Sequence, residues 1–359
     1  MDLLASTWMT RSLGEPVASV ALEQDDSVLV GGWDGCLKRW DSKGDLLWST
    51  RLNDRVNDVA THGDSIVATA GLHVVCVERT TGEVRWSHAL EGSADAVVIH
   101  EQGIYAVSSV YDIEHNDFIE SAVWSFDLQG TERWVTRMDE RPWTIMVHEG
   151  MVWLGLGRPK CGFATIDKEG ALGHRIAPVE APITAGANNE HHLLFGHADG
   201  SVSDSNGAVL FRLDHGTESL ACNRSNAAAA DEVGNLRMFD YDGEMQWSSH
   251  GARIESHKSG FEVDGEPTHW VARWSGTEGV LEVLNNPDGS VVATSSSLHV
   301  RFLDANKSRV IAGCENGDVH VWERTVFERR LSSKTEAKEA PKDARKSALQ
   351  DKLRKLREQ

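Results

Sequence analysis

Several residue types that often carry a function are scarce here. The 359-residue chain has 8 prolines, 3 tyrosines and 5 cysteines. Cys36, Cys76, Cys161, Cys222 and Cys314 are odd in number and far apart, so they fit neither a disulfide framework nor a clustered zinc site, and they point to a reducing compartment. No apolar run approaches the ~20 residues of a membrane helix. Residues 1–13 lack the basic-then-apolar order of a secretory signal, so a cytoplasmic location without membrane contact is expected. No Gly-rich phosphate loop precedes a helix, no serine sits in a Gly-x-Ser-x-Gly elbow, and the methionines form no stripe. Basic residues are outnumbered, 36 Lys+Arg against 55 Asp+Glu, for a formal net charge of −19. That balance argues against a broad nucleic-acid footprint, because phosphates would be repelled.

What is present is unevenly arranged. Residues 334–359 hold nine basic and five acidic side chains, a net +4, leaving −23 on the body. Trp, Gly, Val and Ile stop before residue 334, and Lys, Glu, Ala and Arg take over. Body and tail therefore read as two functional parts.

The body is one unit written repeatedly. Residues 31–52 read as strand, Gly turn, strand, Gly turn, strand, with Gly supplying the positive φ of tight hairpins. An acidic or polar residue followed three positions on by Gly recurs at Asp41/Gly44, Asp127/Gly130, Asp167/Gly170, Asp240/Gly243 and Asn286/Gly289, with Arg79/Gly82 as a variant. Four residues after that Gly stands Trp48, Trp86, Trp134 or Trp247, and in weaker copies His174, Phe211 or Ala293. Side chains alternate along a strand, so the offset fixes the Trp on one face, where it should wedge between neighbouring sheets. With Trp8 the slots recur about every 41 residues, and each repeat holds four short strands bounded by Gly or Asp. This is the pattern of an antiparallel β-propeller blade. The fold expected is all-β, a single propeller of eight four-stranded blades over residues 1–331. Seven is the alternative, because Ala252–Ser297 is irregular. Residues 5–13, around Trp8, should close the ring as the outer strand of the last blade, with Val326–Leu331 as the rival.

The segments DGCLKRWDSKGDLLWSTRL (34–52), TTGEVRW (80–86) and LQGTERW (128–134) carry a resemblance. The pattern resembles the tryptophan-docking repeat of the pyrroloquinoline-quinone-like propeller superfamily. Trp40-Asp41, Leu303-Asp304 and Trp322-Glu323 are similar to the Trp-Asp dipeptide of WD-repeat proteins. The resemblance covers roughly residues 3–331 and implies a rigid binding platform. Quinone-dependent members carry a vicinal cysteine pair, a calcium site and an export signal. Adjacent cysteines and such a signal are missing here, so no cofactor is expected. Lipoprotein members that assist outer-membrane assembly need a lipidated N-terminal Cys, which is also missing.

No catalytic constellation rises above background. His191, His192 and His197 are close in sequence, but His192 and His197 flank a short strand and should diverge. The acidic insertion Asp112, Glu114, His115, Asp117, Glu120 lacks the central Gly and terminal Glu of an EF-hand. Recognition is expected on the face that carries the second-to-third-strand turns and the blade-to-blade connections, here called the top, because its loops are long and polar. The candidates there are Trp33, Arg141, Trp143, Arg158, Lys160 and His197. In the tail, Ser332–Lys342 reads as a flexible tether. Residues 343–359 read as a basic amphipathic helix with Leu349, Leu353 and Leu356 in one stripe, too short for an independent coiled coil. The expected function is a non-catalytic interaction scaffold, a monomeric propeller holding protein partners on its top face and through its tail. Nucleic acid would be met only through the basic tail. The alternative is a propeller enzyme, such as a lyase or hydrolase, or a small-ligand sensor using the central channel.

Overall fold

The computed structural model describes residues 1–101, 103–114 and 116–339, with the backbone alone for 334–339. Eight antiparallel sheets of four strands follow one another. Their inner strands touch in succession, the last against the first, so the sheets form a closed ring. Blades 1 to 7 span residues 17–51, 56–89, 93–138, 142–175, 183–212, 217–249 and 253–295. Blade 8 takes Val300–Ala305, Arg309–Cys314 and Asp318–Glu323 and borrows Met9–Ser12 as its outermost strand. Eight is therefore the blade number. The irregular stretch is one complete blade, whose first hairpin pairs the long strands Arg253–Val263 and Glu266–Trp274.

The N-terminal strand closes the ring as expected. Met9 to Ser12 run antiparallel to Val321 to Asp318, and the Trp8 amide donates to the Val321 carbonyl at 2.8 Å. Upstream, the Leu3 amide donates to the Thr294 carbonyl, and Trp322 Nε1 donates to the Leu3 carbonyl at 2.9 Å.

The middle strands of each blade form the core. Val28–Gly32, Ser65–Ala70 and Arg309–Cys314 are buried along their whole length. Such strands face other sheets on both sides, which is why they read as continuous apolar runs rather than alternating ones. The docking tryptophans then join blade to blade. Trp48 Nε1 donates to the Arg79 carbonyl (2.9 Å), Trp86 to Leu128 (3.2 Å), Trp134 to Lys168 (2.8 Å) and Trp247 to Asn286 (2.5 Å). Each acceptor lies in the third-to-fourth-strand turn of the next blade. A Cβ on Gly130 would stand 2.6 Å from the Trp86 ring, and Gly130 has φ +86°, so glycine is required twice over at this turn. The weaker slots dock less. His174 bonds the Cys161 carbonyl of its own blade (2.9 Å), Phe211 stacks on Phe239 (3.9 Å), and Ala293 is simply buried.

The C-terminal segment departs from expectation. The propeller's sheets end at Glu323, and Arg324–Glu339 is a helix, α1, where Val326–Leu331 reads as a rival strand and 332–342 as a tether. With Met9–Ser12 on the edge of blade 8, the segment has no ladder left to join. As a helix it places Phe327 and Leu331, four residues apart, on the cluster that contains Phe261, Trp270 and Trp322. Phe327 is fully buried there. The proposed stripe Leu349, Leu353, Leu356 lies outside the described residues.

Candidate interaction surface

The top rim of the channel is built by a repeated irregularity. Every inner strand carries one extra residue near its start, and the ladder skips Ala18, Asn57, Asp95, Trp143, Thr184, Glu218, Glu255 and Arg301. A β-bulge re-aims its side chain and twists the strand. The residue before each inner strand is anchored in the same way in blade after blade. The carbonyls of Pro16, Arg55, Arg141, Pro182, Gly216 and His299 each accept an N–H from their own blade's second-to-third-strand turn, at 2.8–3.1 Å. Positions in different blades can thus be equated.

Arg141 occupies such a rim position. Its guanidinium lies between Phe118, at 3.7 Å, and Trp143, at 4.0 Å. Phe118 meets Tyr111 edge-on at 5.0 Å, extending an aromatic ridge. Asp95 reaches Arg141 at 3.5 Å, a weak contact, and the buried Nε of Arg141 has no acceptor. Burial lowers the Arg141 pKa, and Asp95 partly offsets this. A cavity of about 470 Å³ opens beside the sandwich, with Phe118, Arg141, Trp143, Arg158, Pro159 and Pro182 among its walls. Two blades earlier Arg55 lies over Trp33 at 4.0 Å, and across the ring His299 stacks on Trp274 at 3.7 Å. In all three cases the residue before an inner strand covers an aromatic of the preceding blade, a favourable cation–π geometry for the two arginines.

The same face leaves large apolar side chains in water. Trp33 is 40% exposed, Trp143 49%, and Ile113 and Ile176 each 86%, alongside Leu72, Tyr111 and Val233. Arg158 borders the cavity, and Lys160 reaches Glu140 at 3.3 Å. The structure thus brings Arg141, Trp143 and Arg158 together, and it places Trp33 with Arg55. His197 is not part of the surface. It is fully buried, with Nε2 2.8 Å from Ser203 Oγ, and burial lowers its pKa. The turn His-Ala-Asp reads as a loop, but its first residue ends a core strand. Phe118, Tyr111, Arg55 and Asp95 escaped the sequence reading. The signal for Arg55 was its place immediately before an inner strand, matching Arg141.

His191 and His192 lie in the turn at the opposite end of blade 5, away from His197, and the His192 ring stacks on Tyr241 at 3.5 Å. Among the described residues no group of three or more His, Cys, Asp or Glu is disposed to hold a metal ion. In the central channel Lys258 pairs with Asp304 at 3.6 Å, and Asp58 accepts the Val97 and Val59 amides. Asp58 keeps some exposed surface, but protein encloses it. Burial pushes its carboxyl up to about 6 against those bonds and the Lys258 charge.

Comparison with known proteins gives the architecture and little else. No family model matches the sequence, and no curated protein does. Solved structures match along most of the chain. BamB from Moraxella catarrhalis superposes with a TM-score of 0.69 at 16% identity, covering 88% of this chain and 99% of its own. Sqt1 from Saccharomyces cerevisiae gives 0.70 at 11% identity, with 89% and 99% covered. The computationally designed protein Ika8 gives 0.64 at 17%, with 87% and 98% covered. The likeness is one of fold. At these identities it does not distinguish the quinone-like branch from the WD-repeat branch. No helix among the described residues is long and apolar enough to cross a membrane.

Proposed function

We propose that the chain is a protein-interaction scaffold whose top face is the recognition surface. The observation that carries this reading is the exposure of Trp33, Tyr111, Ile113, Trp143 and Ile176 on one face, with arginines over two of its aromatics and a cavity beside Trp143. Aromatic and arginine side chains on a rigid frame are the usual anchors of protein interfaces. The ring is a monomer in this reading, works in the cytoplasm without a cofactor, and catalyses no reaction. The thiols support that compartment, since all five cysteines are free and four are buried. The C-terminal residues act as a second recruitment element. A photo-crosslinking residue placed at position 143, with another at 209 on an outer strand as control, tests the surface in cells. Crosslinks to a discrete protein from 143 alone are expected, and equal yields from both positions would overturn the reading. The second reading, a channel enzyme or sensor, draws on Asp58 and Lys258. A small molecule that co-purifies with the chain and is lost in Asp58→Asn would favour it.

A further inference from the structure

At two blade junctions an acid at the bulge meets the arginine at the head of the next blade, and at a third the arginine stands without that acid. In blade 3 the bulge residue is Asp95, which faces the blade 4 rim residue Arg141 at 3.5 Å. In blade 6 it is Glu218, whose carboxylate accepts from Arg253 at the head of blade 7. Arg55 holds the corresponding position at the head of blade 2, so its acid would come from blade 1. There the bulge residue is Ala18, fully buried and with no side-chain acceptor. The Arg55 guanidinium lies on Trp33, and its buried Nε has no acceptor. Two other charges act on it. Glu315 attracts it and Arg301 repels it, while Glu315 itself faces Arg301 at 3.7 Å.

We propose that Arg55, held over Trp33, is a carboxylate-binding station that takes an aspartate or glutamate side chain from the partner protein, the acid that Ala18 omits. The proposal rests on the platform reading above. A guanidinium presents a planar fork that matches a carboxylate with two parallel hydrogen bonds. Trp33 behind it covers one side of the guanidinium and excludes water there. On a chain of net charge −19 an acidic segment finds few cationic landing points, so the station helps set the register of a bound segment.

The probe is a random decapeptide library displayed on phage and selected on the immobilised full chain, with the winning peptides resynthesised bearing a fluorescent label. Recurrent Asp or Glu is expected. Its replacement by Asn or Gln in the peptide should weaken binding roughly tenfold or more. Arg55→Gln should bind the acidic peptide as weakly as its amide version, and that amide version should bind both chains alike. Ala18→Asp, which supplies the acid in cis, should also weaken the acidic peptide. Should melting curves show that Ala18→Asp does not fold, the half-buried variant Arg55→Gln decides alone. Winners without an acid, or acidic winners that bind Arg55→Gln undiminished, overturn the station. Winners that need Trp143 but ignore Arg55 leave the platform standing and remove only the station. Winners indifferent to both Trp33→Ala and Trp143→Ala, or a selection with no binder, overturn the platform as well.

Discussion

The two faces of the ring are turned by different rules. Below, Asp41, Asp127, Asp167, Asp204 and Asp240 each close a third-to-fourth-strand turn. One carboxylate oxygen accepts the amides two and four residues on, at 2.8–3.1 Å. The Asp45 amide is the main reason that Asp41 is held below the usual carboxylate range. Four of the lower turns are also pressed by the preceding blade's tryptophan. Above, one turn, at Asp231 in blade 6, is closed in the same way, but no side chain recurs in every blade, and the bulge residues range from Ala18 and Thr184 to Asp95, Trp143 and Arg301. The lower face is repeated because assembly requires it. The upper face needs only its backbone anchors, so its side chains are free to specialise, as the proposed recognition surface requires.

Breaking the assembly should cost the most. Deleting residues 1–13 removes the outer strand of blade 8 and the buried side chains of Leu3, Met9 and Leu13. At about 1.5–3 kcal/mol for each such side chain, a loss of more than ~5 kcal/mol is expected. A thermal melt would show it, and an unchanged midpoint would mean that the ring closes without this strand. Next come the lower turns. Gly130→Ala combines left-handed backbone strain with a clash on Trp86 and should cost about 2–5 kcal/mol in denaturant titration. Gly150→Ala also has positive φ, +74°, but its new methyl meets nothing within 4 Å, so about 1 kcal/mol is expected. Equal costs would sever the link between Trp docking and the repeated turn.

Acid sharpens the contrast between wall and channel. His257 and His269 are buried in blade 7, with His257 Nδ1 2.9 Å from His269 Nε2. Burial lowers both pKa values, that of His257 to about 4. The unfolded chain protonates these rings first, so their stabilisation is complete above pH ~6.5 and is lost as pH falls toward about 4. Asp58 works in the opposite sense. Its raised pKa favours the folded state at low pH, and that contribution disappears as pH rises through about 6. Between those limits the two slopes oppose. Asp58→Asn should therefore make the acid loss of stability steeper, and a melting series from pH 4 to 7 that is parallel to the unaltered chain would contradict it. The smallest effect on stability belongs to the top face. Trp143→Ala, half-exposed, should change stability by no more than ~1 kcal/mol while weakening partner binding roughly tenfold.

The repeat was legible because two physical demands coincide four residues apart: a glycine where φ is positive and a tryptophan that presses on the next blade's glycine. Where either fades, as at His174, Phe211 and Ala293, spacing alone carried the count, and it held. Closure by the segment around Trp8 was readable from its likeness to the end of blade 1. Helix α1 was not, because Val326–Leu331 suits a strand as well as a helix until another segment occupies the edge. On the rim, Trp33, Arg141 and Trp143 stood out as large residues in loops. Phe118 and Asp95 did not, since their role comes from contact across a blade boundary with Arg141. His197 misled because a strand's last residue and a loop's first look alike in sequence.

The strand that seals the ring, Met9–Ser12, leaves the ribosome before Asp318–Glu323, the strand it needs. At roughly 5–20 residues per second, the intervening stretch occupies synthesis for tens of seconds. Throughout that time Met9–Ser12 is an edge without its ladder, available to any other growing chain that offers one. Two nascent copies on one message could therefore trade first strands, and a dimer joined at blade 8 would be the mark that closure came too late.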